Sequence, residues 1–266
     1  MQQLKELAIV LRAIPFEERH QMVTALTEHY GKISAMARNS VQSRRFGSGL
    51  QPFTASEWTL QKKDSSDVYL VLETEVKREF QSLRGDLVRL SAASVFSEIM
   101  IRIAPEGNSA PELFKLHSNA LVALEECTDD IERGSFAVIC GYLMKCLQWM
   151  GSQPILHQCL GCAKNVIEMP QDEIVSAQVD RSGWFCKSCT KDHDRSELTA
   201  GAIRDALVLS QLPIRQASLA VRVTSAELSA LFTYLEALLI YHVPGFDRSP
   251  IKSLKLLGLK SNLLPD

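Results

Sequence analysis

Over the first eighty residues apolar positions tend to alternate with polar ones, and beyond Glu79 they recur every three to four residues. Residues 7–11 form a short apolar run that Pro15 interrupts. Residues 22–27, a turn at His29, Tyr30 and Gly31, and then Ile33, Ala35 and Ala37 in alternation predict a hairpin over 20–38. Residues 38–49 hold Asn, Ser, Arg and two Gly with few apolar positions, the composition of a loop. Residues 50–60 predict a fourth strand, with Pro52 near its start, where proline is tolerated. After a turn at 64–67, Val68, Leu70, Leu72 and Val76 share one face of a fifth strand.

Five strands without intervening helices predict a small closed barrel, and the OB-fold is the five-stranded barrel that binds nucleic acid. Helical spacing follows. Phe80, Leu83, Leu87 and Leu90 lead into Val95, Phe96, Ile99, Met100 and Ile103, one helix that Pro105 and Gly107 stop. Ser109 is placed to cap a second, with Pro111 in its first turn. A third runs over about 130–150, with Gly151 as its terminator. Residues 152–195 break this rhythm with short extended pieces. Helices then return: Thr199 can cap one that Pro213 ends, and Thr224 with Glu227 forms a capping box that opens another, reaching Val243. The expected architecture is α+β: a barrel over 1–79, a helical domain over 80–157 and 196–266, and a cysteine-bearing insert over 158–195.

Composition narrows the classes. The chain has 266 residues, 46% apolar and 23% charged, with seven cysteines; mean hydropathy is −0.01. That excludes a disordered or fibrous chain. No stretch reaches the ~18 uninterrupted apolar residues of a membrane span, because residues 228–243 are broken by Ser229 and Glu236. The N-terminus lacks a secretory pattern, and the expectation is a cytoplasmic protein without a membrane partner. The net charge is −2, yet residues 1–65 hold nine basic and six acidic side chains. Between Lys32 and Lys63 the balance is six to one. This suggests a confined anion-binding face; a solvated surface accounts for the charge equally well.

Four of the cysteines form a pattern. Cys159 and Cys162, then Cys186 and Cys189, are two pairs spaced for one tetrahedral metal, with 23 residues between them. Alternation over 174–179, a turn at 180–183 and Trp184-Phe185 predict a hairpin that returns the second pair to the first, a zinc ribbon holding one structural Zn²⁺. Lys164, Lys187 and Lys191 are near enough in sequence to offset the charge of four thiolates. A thioredoxin-like pair would need a βαβ unit, and two disulfides do not suit the compartment. His157 or His193 could replace a cysteine, but four are already in position. Cys127, Cys140 and Cys146 read as core thiols, and His242 as a core histidine. Phosphate-loop, dinucleotide, metalloprotease and hydrolase motifs are absent, so no enzyme is expected.

The order of parts, with several short motifs, resembles the bacterial RecO recombination and repair family. The motifs are Gly31-Lys32-Ile33-Ser34-Ala35-Met36-Ala37-Arg38, Arg44-Arg45-Phe46-Gly47, Leu50-Gln51-Pro52-Phe53, Pro111-Glu112-Leu113-Phe114, the two cysteine pairs and Ser253-Leu254-Lys255-Leu256-Leu257. The resemblance implies a non-enzymatic mediator, associated with the nucleoid, that binds single- and double-stranded DNA and anneals strands. With RecR it would help RecA replace single-strand-binding protein, gripping that protein's acidic C-terminal tail. Lys32, Arg38, Arg44, Arg45, Lys62 and Lys63 would then neutralise phosphates, with Tyr30, Phe46 and Trp58 available to stack on bases; for Trp58 the barrel core is the better reading. The competing expectation is a zinc-ribbon adaptor whose barrel contacts protein or RNA.

Overall fold

A computed structural model describes residues 3–62, 66–190, 196–244, 246 and 251–257. Lys63, Lys191 and His193, named above, and residues 64 and 65 of the expected turn lie outside the described residues. The chain packs as two compact units, one of residues 1–85 with 96–121 and one of 86–95 with 122–266.

The first unit is built on β1 (Gln3–Phe16), β2 (His20–Thr27), β3 (Gly31–Ala37), β4 (Ala55–Gln61) and β5 (Tyr69–Arg78), closed into a barrel in the order β1-β2-β3-β5-β4. Every pairing is antiparallel except β3 with β5, where Ala35 faces Tyr69 and Ala37 faces Val71. That parallel closure and strand order are those of an OB-fold, and it leaves no edge strand to protect. Inside sit Ala8, Val10, Val23, Ala25, Ile33, Ala35, Ala37, Trp58, Leu60, Tyr69 and Val71, with Phe46 and Leu50 plugging one end from the β3–β4 loop.

Long-range packing alters three sequence expectations here. Phe46 is 2% exposed and so is not free to stack on a base, while Trp58 is fully buried, in line with its core reading; the Trp58 indole N–H donates to Ser56 Oγ at 2.8 Å. The fourth strand starts at Ala55, not at residue 50, because residues 50–54 turn and Phe53 takes a left-handed backbone conformation (φ 68°). In β5 the core residues are Tyr69 and Val71 rather than Leu70 and Leu72. A bulge explains the mismatch: Thr59 pairs with Glu73 and Leu60 with Val71, so Leu72 has no partner and alternation changes parity there. A second bulge at Leu11 does the same in β1, turning Arg12 outward.

Two helices follow, α1 (Gln81–Arg84) of four residues and α2 (Leu87–Ile103) of seventeen. The single helix expected over this stretch is interrupted at Gly85 and Asp86, whose carboxylate accepts from the Arg89 N–H at 2.9 Å. Next comes α3 (Pro111–Glu126), which begins at Pro111 itself, so Ala110 rather than Ser109 holds the cap position. Packing assigns residues 87–95 of α2 to the second unit and 96–103 to the first, and divides α3 after Leu121.

In the second unit α4 (Ile131–Trp149) packs against α5 (Ala200–Gln211), α6 (Ala217–Ala220) and α7 (Ser225–His242). Asp130 caps α4 by accepting from the Arg133 N–H, and Gly151 follows it with φ 71°. Thr199 caps α5, and the Thr224–Glu227 capping box is formed at the start of α7. Between α4 and α5 lies a three-stranded antiparallel sheet, β7-β6-β8, of β6 (Ile174–Gln178), β7 (Gly183–Phe185) and β8 (Ser196–Thr199). No helix among the described residues is long and apolar enough to cross a membrane.

Candidate metal centre and nucleic-acid interface

The ribbon is assembled by backbone bonds that clamp its first knuckle onto the β6–β7 hairpin. Leu160 N–H donates to the Trp184 carbonyl at 2.9 Å and Ile155 N–H to that of Ser182 at 2.8 Å. Trp184 is fully buried, its indole N–H on the Leu156 carbonyl. Each knuckle is a tight turn: Ala163 N–H returns to the Cys159 carbonyl and Cys189 N–H to that of Cys186. The result gathers the Sγ atoms of Cys159, Cys162, Cys186 and Cys189 within 4.8 Å of one another, with Cys162 and Cys186 at 3.7 Å. Thiolates arranged tetrahedrally at ~2.3 Å from an ion stand about 3.8 Å apart, so the cluster fits a closed four-sulfur site.

The surroundings favour thiolate. Gly161 and Cys186 N–H groups both donate to Cys159 Sγ at 3.3 Å, and Ser188 Oγ lies 3.2 Å from Cys186 Sγ. Burial works to raise the Cys186 thiol, but hydrogen bonds with Ser188 and the other three cysteines prevail and bring it down to about 6. Cys189, bonded to Cys186 and Cys162, is pushed up to about 12. One proton therefore leaves readily, and the next is held by the charge just created; a cation at the centre removes that conflict. Of the lysines expected to offset the charge, Lys164 is paired with Glu173 at 3.5 Å and Lys187 is exposed. Cys140 and Cys146 are buried helical thiols whose burial pushes them far above the usual thiol range, which is the behaviour of core residues.

The barrel places the basic residues at different ends. Arg38 directly follows β3, and Arg44 and Arg45 lie on the β3–β4 loop; all three are exposed. That loop folds back on the β1–β2 turn, where Val41 N–H meets the Arg19 carbonyl at 3.5 Å and Asn39 N–H meets His20 Nδ1 at 3.0 Å. Arg19, which the charge count alone did not single out, thereby joins the same end; its signal in the sequence was its position in a short turn between two strands. Arg19, Arg38 and Arg44 make no ion pair among the described residues, while Arg45 bonds Ser43 Oγ at 3.2 Å and lies over the Phe46 ring. Lys62 sits at the other end, at the close of β4, its ammonium 5.1 Å from the centre of the Tyr69 ring. Lys32 is committed elsewhere: only 15% of its side chain is exposed, and Nζ donates to the Ile101 carbonyl at 2.6 Å and pairs with Glu106 at 3.3 Å. Gly31 permits this closure. It has φ 61°, and a Cβ there would collide with the carbonyl oxygens of Pro105 and Asn108.

A five-stranded OB barrel, a helical unit and a four-thiol ribbon inserted between helices define an α+β protein of the OB-barrel class with a four-cysteine insert. Residues 1–80 match the family model described as "Recombination protein O N terminal" and residues 84–251 the one described as "Recombination protein O C terminal". The chain belongs to the RecO family of DNA recombination and repair proteins. A "DNA repair protein RecO" of Anaeromyxobacter sp. (strain K) is 32% identical over 205 residues, 76% of this chain and 77% of its own. One from Desulfitobacterium hafniense (strain DSM 10664 / DCB-2) is 30% identical over 68% of this chain and 63% of its own. One from Desulfatibacillum aliphaticivorans is 26% identical across 93% of this chain and 95% of its own.

Proposed function

We propose that this chain is a recombination mediator without a catalytic step of its own. It binds single- and double-stranded DNA through its barrel and anneals complementary strands. With RecR it helps load RecA onto DNA coated by single-strand-binding protein, whose acidic C-terminal tail it grips. The observation that carries the DNA-binding reading is the gathering of Arg19, Arg38, Arg44 and Arg45 at one end of the barrel, exposed and without an ion pair among the described residues. Surface arginines without carboxylate partners add little to folding, and phosphate contacts are what such groups provide. Lys62, with Lys63 beside it in sequence, adds a second cationic point at the far end. Lys32 contributes to folding through Ile101 and Glu106 rather than to phosphate.

The ion in the ribbon is Zn²⁺ on this reading, since four thiolates in a closed tetrahedral set select it and leave no position for a substrate. The test of the DNA reading is an Arg44→Ala/Arg45→Ala variant titrated with a labelled oligonucleotide across a salt series. Each lost phosphate contact removes about 0.7–0.9 from the slope of log affinity against log salt. A folded variant with an unchanged slope excludes these two arginines, and a parent protein that ignores DNA in dilute buffer points to the adaptor reading instead.

A further inference from the structure

The barrel registers leave an apolar row open on its outer surface. Ile14 pairs with Met22, Met22 with Met36, and Met36 with Leu70, so four apolar side chains stand abreast on β1, β2, β3 and β5. At the usual strand spacing this row is about 14 Å long. Ile14 is 41% exposed, and Met22, Met36 and Leu70 are half-buried. Two residues along the strands on one side, the outward position is Arg12; on the other side it is Arg38. Both arginines are exposed and make no ion pair among the described residues. Of the two carboxylates in the β1–β2 turn at the rim, Glu17 faces His20 at 3.5 Å and Glu18 is exposed. The next outward row, Ile9, Leu26 and Lys32, is closed: the first two are fully buried and the third is tied to Ile101.

Phosphate needs the arginines but has no use for the row between them. Unstacked bases do, because each offers two apolar faces, and the polarisable thioether of methionine packs well against aromatic rings. In a duplex those faces are hidden in the stack. Of the aromatics the sequence offered for this task, Phe46 and Trp58 lie in the core, and Tyr30, half-buried, packs against the Tyr69 ring at the β2–β3 turn. The geometry points to Ile14, Met22, Met36 and Leu70 as the base-contact strip of the barrel, with Arg12 and Arg38 holding the flanking phosphates, so that this surface prefers single-stranded over double-stranded DNA. This rests on the DNA-binding reading above and adds to it which residues tell the two forms apart.

A Met22→Ser/Met36→Ser variant decides it, measured against a poly-dT oligonucleotide and a duplex of equal length. Single-strand affinity falls about tenfold, within the range of one lost base contact. Duplex affinity stays within about twofold and the salt slope is unchanged, since no phosphate contact is removed. Equal losses on both DNAs, or no loss on the single strand, overturn the strip. A parent protein that binds neither DNA overturns the underlying reading instead. Should the double variant unfold, Met36→Trp serves: its fluorescence is quenched by the single strand and not by the duplex if bases stack there, and quenching by both or by neither overturns the proposal.

Discussion

At the scale of single residues, space and desolvation set the outcomes. A Cβ on Gly161 would stand 2.7 Å from Cys189 Cβ and 2.9 Å from its Sγ, so Gly161→Ala forces the fourth ligand out of place. The expected result is a lower metal content by elemental analysis and a lower melting temperature, with the barrel intact. His117 is a different case. It is fully buried, and burial alone lowers its ring from 6.5 to about 3. The unfolded chain takes up a proton below pH 6.5 and the folded chain does not until about pH 3. Its contribution is therefore intact above 6.5 and falls away as pH drops between those values, at up to about 1.4 kcal/mol per pH unit. His117→Leu should flatten that slope in urea titrations at pH 7 and pH 5. The four cysteines were legible in the sequence because their spacing is local. The engagement of Lys32 was not, because Ile101 lies 69 residues away and nothing near Lys32 announces it.

At the scale of elements, short-range signals held and parity did not. Thr199 and Thr224 cap the helices they were expected to cap, since a cap is a matter of three residues, whereas Ser109 misses its helix by one position and Asp130 caps α4 without having been singled out. The bulges at Leu11 and Leu72 leave no mark in the sequence, so alternation read straight through them assigns half a strand to the wrong side. The capping box of α7 offers the cleanest test. Thr224→Ala removes the hydroxyl that accepts from Glu227 N–H and should cost about 1 kcal/mol of unfolding free energy by denaturant titration. It also changes the acid limb. Burial works against the Glu227 carboxylate, but the Thr224 N–H and the hydroxyls of Thr199 and Thr224 outweigh it and hold the carboxyl below its ordinary range. That stabilisation is present above the unfolded carboxyl pKa and is lost as pH falls through the folded one, so the variant should lose less on acidification than the parent.

At the scale of the whole chain, the order barrel, helices, ribbon, helices was readable, whereas the division of α2 and α3 between two packing units was not, because a helix looks alike on both sides of such a boundary. On the zinc reading proposed above, the ion supports the fold of the ribbon. Stripping the ion with a chelator should therefore lower hydrogen-exchange protection around Cys159–Cys162 and Gly183–Phe185, while the strands of the barrel, which have their own core, keep theirs. The parallel contact between β3 and β5 has one more consequence, and it concerns birth rather than stability. On the ribosome β3 is made long before β5, and until Tyr69 to Val71 emerge its outer edge has no hydrogen-bonding neighbour. A chain ended between β4 and β5 thus carries an open β3 border, the kind of edge that pairs with other strands unless something covers it.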